Sequence, residues 1–318
     1  MRELIIASND AGQRLDKFLT KAVPRLPQGL LYKYLRTKRI KLNGGRAEIS
    51  FRLRQGDRVQ LYIHDEFFQE NPSMDFLRAS SGLKLLYEDE NLLLADKEPG
   101  LCVHEDNDHT ADTLINRILR YLHEKGEYDP RQELSFTPAL ANRIDRNTGG
   151  IVLAAKNAEA LRILNEAIRE RQLHKFYLCV VDGIPQPSSA TLTAYLRRDA
   201  NKSTVQVLDR PGPDARTIVT RYRVIRHSRR NSLLEVELLT GRTHQIRAHM
   251  AHIGHPLLGD GKYGVGRINR EYSLRQQLLY AYRLRFDFQG AAHLLSYLDG
   301  QEFTAPQVWF RDAFEERF

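Results

Sequence analysis

The net positive charge of this chain is confined to one end. Residues 1–63 hold 14 Lys and Arg against 5 Asp and Glu, whereas residues 64–318 hold 34 against 35. All of the formal charge of +8 therefore belongs to the first fifth of the sequence. This partition predicts a compact basic module that grips a polyanion, joined to a near-neutral body. A length of 318 residues accommodates both, as roughly two domains. It also buries enough surface to fold without a disulfide or metal staple.

Several classes of protein drop out early. Cys102 and Cys179 are the only cysteines and have no CxxC spacing, which excludes zinc ribbons and disulfide frameworks. The start, MRELIIASND, lacks the apolar core of a signal peptide, and apolar runs such as Ile151 to Ala155 are too short to span a bilayer. The expectation is a soluble protein of a reducing cytoplasm. No phosphate-binding GxxxxGK[ST], dinucleotide GxGxxG, HExxH or GxSxG motif occurs.

In the basic module, Leu15, Phe18, Leu19 and Ala22 share a helical face within residues 13–23. After Pro24 and Pro27 a second helix is predicted over 28–39, with Leu30, Leu31, Tyr34 and Leu35 apolar. Lys33, Arg36, Lys38 and Arg39 lie on its other faces or at its end and are candidate phosphate contacts. Asn43-Gly44 predicts a turn between short strands, and Val59, Leu61 and Ile63 alternate in another. The pieces RLDKFL, LYKYLRTKRIKLNG and RQGDRVQLYI together resemble the S4-type RNA-binding domain. That resemblance implies a module laying its basic helical face against structured RNA. Residues 64–84 read as a linker, although Phe67, Phe68, Met74, Phe76 and Leu77 suggest packing against something.

From residue 85 the body begins. Leu92 to Ala95 and Ile151 to Ala155 read as buried strands, and Lys175 to Val181 as another. Helices are predicted over 112–125 and 158–170. Strands outnumber helices without regular alternation, so the body is α+β.

Three stretches could carry chemistry. Asp145 lies between Arg143 and Arg146 in a turn before a strand. Neighbouring positive charge favours the ionised carboxylate, the form that acts as a nucleophile. Taken alone, however, it reads first as a turn aspartate paired with an arginine. Tyr177 alone reads as a core aromatic and Arg247 alone as a surface charge on a helix. His244, His249, His252 and His255 crowd twelve residues, but Arg242 and Arg247 among them repel a divalent cation. No carboxylate or cysteine sits at ligand spacing there, so these histidines read as structural or RNA-contacting rather than metal-binding.

Together these stretches resemble the RluA family of pseudouridine synthases, in the family's order. NRIDRNTGG resembles the motif around the catalytic aspartate, and LHKFYLCVVDG the strand bearing an active-site tyrosine. LLTGRTHQIRAHMAHIGHPLLGDGKYG resembles the arginine segment, and QQLLYAYRLRF with YLDGQEFTAP the C-terminal pieces. Ile144, Gly149 and the Lys97-Glu98-Pro99-Gly100 turn depart from the commoner family residues, none at a charged catalytic position.

The resemblance implies a mixed, largely antiparallel sheet with a cleft across it, and isomerisation of uridine within RNA. Asp145 would be the nucleophile and Tyr177 the residue that stacks on the flipped base, also a candidate to remove its C5 proton. Arg247 would pair with Asp145, and Arg143 would help hold the flipped-out state. Arg242 and His244 join the substrate-binding set. Neither cofactor nor metal is implied, nor a protein partner. An S4-type module favours ribosomal RNA over transfer RNA as the partner. The competing readings are a synthase acting on tRNA, a non-catalytic RNA-binding or ribosome-assembly protein on the same scaffold, and a metal-dependent hydrolase using the histidines. The expected division is 1–63 for the module, 64–84 for the linker and 85–318 for the catalytic domain.

Overall fold

A computed structural model describes residues 1–68, 73–105, 110–199, 204–291 and 293–318. Of the linker expected over 64–84, residues 69–72 lie outside that description.

The N-terminal strands are β1 (Arg2–Ile5), β2 (Ile40–Leu42), β3 (Gly45–Arg46) and β4 (Arg58–Leu61), in the spatial order β1-β4-β2-β3. Asn43 and Gly44, both at positive φ, make the tight turn between β2 and β3. Helices α1 (Leu15–Ala22) and α2 (Gln28–Arg36) cover this small sheet with Leu15, Phe18, Leu19, Leu31 and Leu35, all buried. The second helix ends three residues earlier than its sequence predicts. Lys38 turns left-handed at φ 60, and the Arg39 N–H reaches back to the Tyr34 carbonyl while that of Lys38 reaches Leu35. This backward pairing closes a helix C-terminus.

The segment after this unit is not a bare tether. Phe68 is buried in the N-terminal core, and Phe76 joins the core of the body, where the turn Asp75–Arg78 packs on α3 (Leu114–Glu124). Polar contacts also join the two units. Asn9 Nδ2 donates to Glu133 and Gln13 Nε2 to Ser135, while Ser135 Oγ donates to the fully buried Asp10 at 2.5 Å. Asn9 Oδ1 accepts from the Ala158 N–H.

The body is one eleven-stranded sheet. Its strands are β5 (Leu85–Glu88), β6 (Leu92–Lys97), β7 (Ala139–Leu140), β8 (Gly149–Ala155), β9 (Leu173–Asp182), β10 (Ser189–Arg198), β11 (Val205–Leu208), β12 (Arg216–His227), β13 (Asn231–Leu238), β14 (Leu279–Phe286) and β15 (Glu302–Thr304). The main path runs β11-β10-β12-β13-β9-β14-β8-β6-β5, with β15 on β14 and β7 on β8. Among the described strands every pairing is antiparallel except β14 with β8. At that parallel junction Gly150, at φ +110, lies so close to β14 that a Cβ would sit 2.2 Å from the Ala281 carbonyl oxygen. Only glycine fits there.

Strand β8 is buried on both faces, which explains its unbroken apolar run. One face packs on α3, whose Leu114, Ile118 and Leu122 are buried; each contributes about 1.5–3 kcal/mol by leaving water. The other face packs on α4 (Ala158–Arg169). Side-chain caps start both helices: Thr113 Oγ1 accepts from Asn116 N, and Asn157 Oδ1 from Ala160 N. No helix among the described residues is long and apolar enough to cross a membrane.

Candidate active site

Asp145 stands in the loop that enters β8, between β14 and β6 in the sheet. Its carbonyl accepts the Thr148 N–H, closing a turn, and the turn is pinned from the side. The ammonium of Lys97, at the end of the neighbouring β6, is 1% exposed and donates to three carbonyls, those of Glu98, Leu101 and Arg146. Burial pushes its pKa down to about 8, with the nearby Cys102 and Asp145 opposing that shift. The Gly100 N–H also donates to the Arg146 carbonyl, and Arg146 Nε donates to that of Gly100. The carboxylate is therefore carried on a rigid loop, as a group that must meet one atom of a substrate requires.

Helix α5 (Gln245–His252) brings the counter-charge, from 102 residues further along the chain. Its first residue, Gln245, is buried and bonds four groups: Oε1 accepts from Thr240 and the Arg242 N–H, while Nε2 donates to Val219 and Thr220. Gln245 to Met250, the first six residues of this helix, are all buried, so Arg247 is a core residue, 5% exposed, rather than a surface charge. Its Nη1 donates to Asp145 Oδ2 at 2.8 Å. Its Nε and Nη2 donate to Asp260 at 2.7 and 2.8 Å in a two-point ion pair.

Asp260 is 1% exposed and also accepts the Lys262 and Tyr263 N–H groups. Burial works against its charge, but Arg247 outweighs that and holds its carboxyl below the usual range. Burial likewise opposes the Arg247 charge, and Asp260 and then Asp145 more than restore it. Gly259 supports this corner at φ +76, because a Cβ there would lie 1.9 Å from the Gln276 carbonyl oxygen.

Tyr263 lies against the Arg247 guanidinium, 5.3 Å from ring centroid to Cζ. Its hydroxyl accepts from Val205 N and lies 2.9 Å from His244 Nδ1, which turns the other ring nitrogen, Nε2, towards Asp145. That nitrogen is 3.9 Å from Asp145 Oδ2. His244 sits in the left-handed region at φ 56, a conformation that a β-substituted residue adopts at some cost. Burial lowers its pKa, against the opposing effect of Asp145.

Tyr177 lies in β9, 5% exposed, in the wall of the same cleft. Burial, and then the charge of Asp145, raise its phenol pKa, so the hydroxyl is neutral. The cleft has a volume of about 620 Å³ and is bordered also by Arg143 and Arg242, both exposed at its rim. The structure thus gathers Asp145, Tyr177, Arg247, Arg143, Arg242 and His244 around one cavity. Lys33, Arg36, Lys38 and Arg39 are elsewhere, exposed on the N-terminal unit. The other histidines of the run have separate partners: His249 bonds Thr220, His252 bonds Asp209 and His255 the Asp182 carbonyl. Among the described residues no group of three His, Cys, Asp or Glu side chains is placed to hold a metal.

Comparison with known proteins decides the family. A family model described as RNA pseudouridylate synthase matches residues 91–252, half of the chain. The chain belongs to the RNA pseudouridylate synthase family. An "Uncharacterized RNA pseudouridine synthase" of Mycoplasma genitalium is 33% identical over 89% of this chain and 88% of its own length. A "Ribosomal large subunit pseudouridine synthase C" of Salmonella typhimurium is 30% identical over 91% and 90%. Two human solved structures share the fold of this synthase. RNA Pseudouridylate Synthase Domain Containing 4 aligns with a TM-score of 0.56 at 21% identity, over 74% of this chain and 92% of that one. Domain Containing 1 aligns with 0.53 at 22%, over 78% and 97%.

Four residues of the site were not singled out from the sequence. Asp260 and Tyr263 lie in GHPLLGDGKYG, where an aspartate between glycines looks like a turn. Lys97 stood out only as part of an unusual turn, and Gln245 carried no signal. Only the observation that a buried arginine needs full neutralisation points to Asp260.

Proposed function

We propose that this synthase converts uridine to pseudouridine at sites in a large folded RNA, ribosomal rather than transfer RNA, with Asp145 as its catalytic carboxylate. The observation that carries the proposal is the arrangement Asp145–Arg247–Asp260 at the wall of a cleft that also holds Tyr177. Asp260 neutralises Arg247 through Nε and Nη2, and Nη1 holds Asp145 by Oδ2. Among the described residues nothing donates to Oδ1, which leaves that oxygen for the substrate.

The reaction breaks the C1′–N1 bond, turns the uracil and joins C5 to C1′; the C5 proton is lost and N1 gains one, so the product is an isomer. Asp145 serves the bond-breaking step, as nucleophile or as base towards the sugar. The Tyr177 ring offers a face on which the base stacks, and its neutral hydroxyl a polar group beside C5. A uridine in a duplex must leave the stack to reach a cavity this deep, and Arg143 and Arg242 at the rim supply charge for the flipped-out strand. His244 Nε2 faces the same cavity next to Asp145, within reach of the base or sugar.

The N-terminal unit fits the reading of an S4-type grip, with its boundary near residue 63. Lys33, Arg36, Lys38 and Arg39 are exposed, and among the described residues none of them forms an ion pair. Such charges contact phosphates and orient the RNA with little sequence preference. The names of the bacterial relatives support a large-subunit ribosomal target. The test is to map pseudouridine in RNA from cells with and without the protein. The proposal predicts that one or more ribosomal positions lose the modification; loss confined to transfer RNA, or no loss, would refute it.

A further inference from the structure

Lys175 is a cation without a counter-charge. It lies on β9 two residues before Tyr177, so the strand's alternation sets both on the same side, and both line the cleft. It is only half-exposed, yet its ammonium makes no hydrogen bond or ion pair with any described residue. Its ammonium reaches across towards the loop before α5, to within 3.9 Å of where a Gly241 Cβ would stand. Burial lowers its pKa, and no neighbouring carboxylate offsets that.

The other buried cation around the cavity is already satisfied: Arg247 is held by Asp145 and Asp260. A chain gains nothing in stability from a desolvated ammonium with no partner. Such a group is explained by an anion that arrives with the substrate.

We propose that Lys175 binds a backbone phosphate of the nucleotide presented to Asp145. The inference rests on the reading of the cleft as a site for a flipped nucleotide. Two residues along a strand span about 7 Å, a separation that one nucleotide bridges between its base and its own phosphate. With the base on Tyr177, the phosphate falls beside Lys175. A lysine suits this task because it acts as a point charge and does not demand the planar geometry of an arginine fork.

The experiment uses the full-length protein and a ribosomal RNA transcript, with K175M, K175Q and K175R. Affinity is measured across a salt titration, together with single-turnover pseudouridine formation and thermal unfolding. K175M and K175Q should bind the transcript about fivefold to tenfold more weakly at low salt. Their log–log salt slope should be shallower by about 0.7–0.9, the change expected for one phosphate. K175R should restore most of both. Removing an uncompensated charge should leave the melting temperature equal or raised, whereas a structural lysine would lower it. An unchanged salt slope in K175M and K175Q overturns the proposal, and so does weaker binding at unchanged slope, which would indicate a neutral atom of the base. Failure of the wild type to form pseudouridine would count against the function proposed above, while the slope comparison would still decide whether Lys175 meets a phosphate.

Discussion

Asp260 grips Arg247 with both of its oxygens, at 2.7 and 2.8 Å, and thereby fixes where Nη1 of that guanidinium points. The donor points at Asp145. A flexible arginine would not define the position of a half-buried carboxylate; an arginine clamped from behind does. The fold supplies the clamp from two separate elements, α5 and the turn after Gly259.

Replacing Asp260 should therefore cost more than replacing a surface partner. Asp260→Ala leaves a buried guanidinium with one carboxylate instead of two, and breaking a buried pair in this way costs about 3–5 kcal/mol. Urea unfolding of the purified variant should show that loss, with pseudouridine formation falling as Arg247 releases Asp145. A change below about 1 kcal/mol would mean that the ion pair is not the keystone of this corner.

Stability should also fall on the acid side because of His249. Burial, with a smaller contribution from His252, depresses its pKa from 6.5 to about 4. Between those values the unfolded chain binds a proton that the folded chain refuses. Stability is thus intact above about pH 6.5 and declines as the pH is lowered towards 4, by on the order of 3 kcal/mol in all. His249→Asn removes the group, so the difference between wild type and variant in urea unfolding should shrink across that window. A difference independent of pH would show that His249 titrates normally.

The exposed cations at the end of α2 give a prediction about RNA affinity. Neutralising Lys33, Arg36, Lys38 and Arg39 to Gln should flatten the salt dependence of binding to a long structured RNA. The expected change in slope is about 0.7–0.9 for each phosphate that the module no longer touches. The fold should survive, since all four residues are exposed and the one ring contact among them, Arg39 over Tyr34, is at the surface. A slope equal to that of the wild type would remove the N-terminal unit as the RNA grip.

Much of this molecule was legible in its sequence, for local reasons. The helices predicted over 112–125 and 158–170, the Asn43-Gly44 turn and the apolar run of β8 follow from rules that act over a few residues. The helix over 28–39 was overextended because nothing in Thr37-Lys38 announces a left-handed residue. The site was legible only in part. Asp145, Tyr177 and Arg247 came from a family resemblance, and no periodicity would have joined Asp145 to a helix 102 residues later. Arg247 looked like a surface charge because burial of residues 245–250 of α5 is a property of the tertiary fold. Asp260, Tyr263 and Lys175 escaped for the same reason: what marks each is a partner, or the lack of one, contributed by a distant strand or loop.

The central claim is that the carboxylate of Asp145 performs the isomerisation. It is tested most directly by single-turnover pseudouridine formation with purified wild type and Asp145→Asn on the same RNA, alongside binding affinity. Asn is nearly isosteric and still offers Arg247 an acceptor, so the fold and RNA binding should persist, but it supplies neither a nucleophile nor a base. The account predicts no detectable product from the variant at RNA concentrations that saturate it. Conversion at a rate comparable to the wild type would contradict the account.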